Sequence, residues 1–123
     1  MPGHLTDVAS TDQHTVKPWF DGRLDFSPQV SDFAAQGFNL VGGRLDYIAE
    51  RPVAALVYRR RKHLINLFEW PISEPHPPPP GATTHNGYRV IHWDRGGLSF
   101  WMVSNLNAAE MEQFAGMLKA QAS

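Results

Sequence analysis

LVGGRLDYIAERPVAALVYRRRKHLINLFEW, residues 40–70, sets the architecture of this chain. Its three parts, 40–48, 53–60 and 62–70, are rich in β-branched, aromatic and leucine residues and are parted by only a few polar positions. Such runs read as strands, and gaps as short as Ala49-Glu50-Arg51 permit hairpins but not crossovers. The middle run, VAALVYR, is apolar at successive positions and so suits a central strand covered on both faces. Gly42-Gly43 has neither the spacing nor the strand-to-helix context of a phosphate loop; it is expected to mark a bulge or a close approach of another group.

Further along, 88–93 and 98–103 repeat the strand signature around Asp94-Arg95-Gly96-Gly97, which makes about five antiparallel strands. The intervening HPPPPG favours a polyproline II stretch. Asn107 followed by Glu110 reads as a helix N-terminus, and Met111, Phe114, Ala115 and Leu118 recur at helical spacing. The class expected is therefore α+β, one domain over 1–123, with an antiparallel sheet of about five strands and a C-terminal helix packed on it.

Upstream, HTVKPWFDGRLDFSP (14–28) crowds two prolines and three large aromatic rings into fifteen residues without a period of 2 or 3.6. It is expected to be an irregular aromatic-rich strap. Trp19 and Phe20 would plug one sheet face, Phe26 would fasten the strap, and Lys17 and Arg23 would rest their stems on the rings. A helical turn is expected near residues 5–9 and a short helix over 29–36, stopped by Gly37.

Composition removes several functions. With 123 residues and a net charge of -1, the chain offers no global attraction to nucleic acid. Zero cysteines exclude disulfides, thiolate metal sites and cysteine nucleophiles. Neither an apolar run of about 18 residues nor a signal-peptide pattern is present. The six histidines, His4, His14, His63, His76, His85 and His92, show no i, i+2 or i, i+4 pairing, so no metal site is assigned. No GxSxG, HExxH or other hydrolytic pattern occurs, and no catalytic residue or cofactor is assigned. The cationic run Arg59-Arg60-Arg61-Lys62-His63 reads as a solvated hairpin tip, with contact to anionic lipid as the sharper alternative.

HLTDVAS (4–10), HTVKPWFDGRLDFSP, GGRLDY (42–47), VAALVYRRRKHLINLFEWP (53–71) and GYRVIHWDRGGLSFWMVSNLNAAEMEQFAGML (87–118) together resemble the C-terminal extracytoplasmic domain of bacterial transmembrane anti-sigma factors. The resemblance runs from about His4 to Leu118 and implies a non-enzymatic sensor domain on the periplasmic side of the inner membrane. It also implies a longer protein, whose transmembrane helix and cytoplasmic sigma-binding part are absent from this chain. Through that part it would hold an extracytoplasmic-function sigma factor, and outside it would meet a periplasmic signal protein or protease. His14, Lys17, Trp19, Phe20, Arg59, Arg60, Arg61 and His63 form the candidate signal or partner surface. Two other readings stay open. One is a free-standing soluble module that binds a small molecule or metal beside Trp19, Trp70, Trp93 and Trp101. The other is a homodimer made by pairing an edge strand.

Overall fold

A computed structural model describes residues 6–10, 12–74, 76–79 and 87–121. Among the described residues six strands form one antiparallel sheet: β1 (Val8–Ala9), β2 (Asn39–Ile48), β3 (Arg51–Arg60), β4 (His63–Pro71), β5 (Arg89–Arg95) and β6 (Leu98–Ser104). Their order is β1-β2-β3-β4-β6-β5. Two helices, α1 (Gln13–Phe20) and α2 (Ala108–Lys119), complete the α+β fold. The five strands read from sequence are present with ends displaced by one or two residues, and β1 is the addition.

Register explains why β3 is apolar throughout. Ala54, Leu56 and Tyr58 point to one face, and Val53, Ala55 and Val57 to the other, and all six are fully buried. On the first face they join Ile65, Leu67, Phe100, Met102 and Trp93, and the helices close over this layer. The second face carries Phe68, Trp70, Trp101 and Val103. Along α2, Met111, Phe114, Ala115 and Leu118 are buried as their spacing required. Phe114 stacks on Phe38 with centroids 4.6 Å apart and meets Tyr58 edge-on at 4.9 Å.

The strap begins as a helix, which corrects the irregular reading of its first residues. Asp12 caps α1 by accepting the His14 N–H at 2.8 Å, and Val16 and Phe20, one turn apart, are fully buried. Pro18 lies inside α1 but only in its second and last turn, where it removes a single hydrogen bond. From Asp21 to Asp32 the chain is irregular as expected, apart from an isolated bridge between Asp21 and Leu24.

Two local expectations fail. Residues 29–36 form no α-helix; only a 3-10 turn, Ala34–Gln36, forms there, ended by Gly37 in the left-handed region at φ 87°. Buried side chains from β3 and β4 hold the backbone of 29 and 31 in place of a helical ladder, as described below. The helical turn placed near 5–9 is instead strand β1: Val8 and Ala9 pair with Gly43 and Gly42. Leu5 lies outside the described residues.

Gly42-Gly43 behaves as read. The β2–β3 register shifts between Leu40 and Gly42. A Cβ on Gly42 would stand 2.1 Å from the Val8 carbonyl oxygen, and one on Gly43 would stand 2.8 Å from the Phe20 ring. The glycine pair is thus where β1 and α1 come down onto the sheet.

Candidate functional site

The irregular stretch 21–33 crosses the molecule without a ladder, and side chains supply the hydrogen bonds that a ladder would have made. Glu69 on β4 accepts the Gln29 N–H at 2.7 Å. Tyr58 on β3 donates its hydroxyl to the Ser31 carbonyl at 2.7 Å. From α1, Lys17 Nζ donates to the Pro28 carbonyl at 2.9 Å and to Ser27 Oγ at 3.1 Å. The far end is tied to the C-terminal region, with Gln29 Nε2 donating to the Leu118 carbonyl at 3.3 Å and Ser31 Oγ to Gln121 Oε1.

Between this segment and the β5–β6 turn lies a cleft of about 390 Å³, within the range of small-molecule sites. Lys17, Gln29, Val30, Arg95, Leu98 and Gln121 are among its walls. Its charge is one-sided. Lys17 is held by neutral oxygens only, and Arg95 has no carboxylate partner among the described residues. Next to this region Glu69 is fully buried, and its Oε2 has no hydrogen-bond partner among the described residues. Burial, opposed by the Gln29 N–H and by Lys17, pushes its carboxyl up to about 8, which favours its neutral form.

The eight residues singled out in the sequence do not form one surface. Lys17 lines the cleft. Trp19 packs edge-on against buried Phe20 at 5.1 Å and carries the Arg23 guanidinium 4.4 Å above its ring. His14 and Arg59 are exposed, and His63 Nδ1 lies 2.9 Å from Asn105 Oδ1. Arg60, half-buried, departs from the solvated reading of the cationic run, while Arg61 shares its partner and stays exposed. Arg60 Nε meets Glu110 Oε2 at 2.6 Å, and Arg61 Nη2 meets Oε1 at 2.5 Å. Arg60 also donates to the Gln36 carbonyl at 3.0 Å and covers the Phe38 ring at 4.6 Å. These two arginines fasten the start of α2 to the β3–β4 turn. The Arg60 hydrogen bond, helped by Arg61 and Asn107 against the cost of desolvation, holds the Glu110 carboxyl down at about 2.

The four tryptophans also separate. Trp93 faces the helical layer, stacked on Phe100 at 5.2 Å, and Trp19 belongs to α1. Trp70 and Trp101 stand on the opposite face, 6.3 Å apart, with His92 stacked on Trp101 at 4.2 Å and His76 against Trp70 at 5.0 Å. His76 is half-buried, its Nδ1 3.0 Å from the Ile48 carbonyl. A shallower cleft of about 190 Å³ opens along this row beside Asp94 and Ser99. Among the described residues no three histidines or acids converge as metal ligands; His4 and His85 lie outside them.

Glu69, Tyr58, Gln29, Ser31 and Arg95 were not singled out in the sequence. For Glu69 a signal existed, because alternation along β4 places it on the same inward face as Ile65 and Leu67. Tyr58 gives no such sign, since a tyrosine on an inward strand position reads as plain core.

No family model matches the chain, and no match is found among the curated proteins or the solved structures.

Proposed function

We propose that this chain is the extracytoplasmic regulatory domain of a membrane-anchored anti-sigma factor. In this reading it is a non-enzymatic sensor whose state governs release of a sigma factor held by a cytoplasmic part outside this chain. The supporting observation is that the sequence stretches resembling that family are one another's packing partners. Phe20 of HTVKPWFDGRLDFSP seats on Gly43 of GGRLDY, and Gln29, just past the former stretch, bonds Glu69 of VAALVYRRRKHLINLFEWP. The resemblance therefore follows a single packed unit rather than scattered words. Among the described residues no helix is long and apolar enough to cross a membrane, so an anchor would have to lie outside them.

The test is to read the native gene in frame on the 5′ side of this coding sequence and to fuse alkaline phosphatase after Gln121 in the full reading frame. The expected result is an apolar span of about 20 residues upstream and an active phosphatase. Deleting residues 1–121 from the full-length protein should then change transcription from the promoter of its sigma factor. A frame without a span, or a fusion that is made in full but has no phosphatase activity, would overturn the reading. A free-standing small-molecule module, which the 390 Å³ cleft favours, would take its place.

A further inference from the structure

The cleft between α1, the 27–31 segment and the β5–β6 turn has a feature that its packing does not use. Two cations line it, and neither is neutralised. Lys17 has three N–H donors, of which two are taken by Ser27 Oγ and the Pro28 carbonyl, so one remains. Arg95 has five donors in a planar fork and no partner among the described residues. Behind Gln29 lies Glu69, whose full burial favours its neutral form. The remaining walls include apolar Pro28, Val30 and Leu98.

We propose that this cleft binds a small organic carboxylate, with its anionic group held by Lys17 and Arg95 and its apolar body laid against Val30 and Leu98. A guanidinium fork matches the two oxygens of a carboxylate, and the one free Lys17 donor completes the set. A phosphate asks for more donors than this. The usual supplement, a free helix N-terminus, is missing here because Asp12 caps α1 and Asn107 caps α2. The cleft volume, about 390 Å³, suits a small molecule rather than a protein or polysaccharide surface. This deepens the proposed function by giving the sensor a class of signal. Its test uses the chain alone, so its outcome is independent of where the protein resides.

The isotopically labelled chain is titrated at low salt with benzoate and with hexanoate, and in parallel with benzamide and hexanamide, their uncharged counterparts. At least one carboxylate is expected to shift the amide resonances of Gln29, Val30, Ser31, Gly96 and Leu98 in a saturable way, and the amides are expected not to. Lys17→Gln and Arg95→Gln are each expected to weaken binding about tenfold, the equivalent of about 1.4 kcal/mol. Both variants should keep the wild-type circular dichroism spectrum, because Lys17 is exposed and the Arg95 side chain makes no hydrogen bond or ion pair among the described residues. The proposal fails if neither carboxylate binds at millimolar concentration. It fails equally if carboxylate and amide perturb the same resonances alike, or if binding survives both substitutions.

Discussion

Glu69 is the residue whose environment departs furthest from what its side chain prefers. A carboxyl in a fully buried position with one hydrogen bond and one bare oxygen favours its neutral form, and its folded value of about 8 stands above the ordinary 4.5. Between those two values the folded chain holds a proton that the unfolded chain has released. The stabilisation is therefore complete below pH 4.5, falls as pH rises, and levels above pH 8. The fall can reach about 1.4 kcal/mol per pH unit for one proton. Glu69→Gln keeps the acceptor for Gln29 and removes the titration. In urea unfolding across pH 5 to 9, wild type minus variant is expected to slope downward and flatten near pH 8; parallel curves would refute it. Gly43 poses a purely steric case. Gly43→Ala would press a methyl into the Phe20 ring at 2.8 Å, and the expected loss is about 1–3 kcal/mol in the same assay.

Among the elements, α2 depends most on a few polar contacts. Asn107 Oδ1 accepts the Glu110 N–H at 2.9 Å, and the Glu110 carboxylate takes both Arg60 and Arg61. Because the folded carboxyl value is lowered to about 2 from 4.5, this stabilisation is present above pH 4.5 and is lost as pH falls toward 2. Glu110→Gln is expected to lower the melting temperature at pH 7 but to approach wild type near pH 2, a convergence that thermal melts at the two pH values would detect. Asn107→Ala should cost about 1 kcal/mol through the lost cap. The contrast between α2 and α1 shows what sequence carries and what it hides. In α2 the cap, the apolar stripe and the absence of breakers agree, so the helix is legible residue by residue. In α1 the Asp12 cap and the Val16, Phe20 pair are present too, but Pro18 and the crowd of rings mask them. Residues 29–36 fail for the opposite reason. Their composition allows a helix, and contacts made 27 and 40 residues away override it. The cleft is harder to read than either, since its walls come from segments nearly eighty residues apart and no local pattern joins Lys17 to Arg95.

For the molecule as a whole, the sheet is a graded structure with β3 at its centre of order. β3 is hydrogen-bonded along both edges, to β2 and to β4, and its residues 53–58 are buried on both faces. β4 shares this position between β3 and β6. At the margins β1 contributes two residues, β5 has one edge unpaired among the described residues, and α1 is two turns long with a proline in the second. Exposed backbone bonds open locally at low free-energy cost, whereas those at the centre open only with global unfolding. Native-state hydrogen exchange is therefore expected to rank β3 and β4 slowest, with protection equal to the global stability measured in urea. α2 and β6 should follow, and β1 and α1 should exchange fastest. The ranking also bears on function. A cleft walled by α1 and the 27–31 segment on one side and by strand ends on the other has its most easily opened wall where a ligand would enter. Exchange in α1 as slow as in β3 would contradict this, because the cleft would then be part of the single cooperative core and could not respond to a signal without unfolding the sheet.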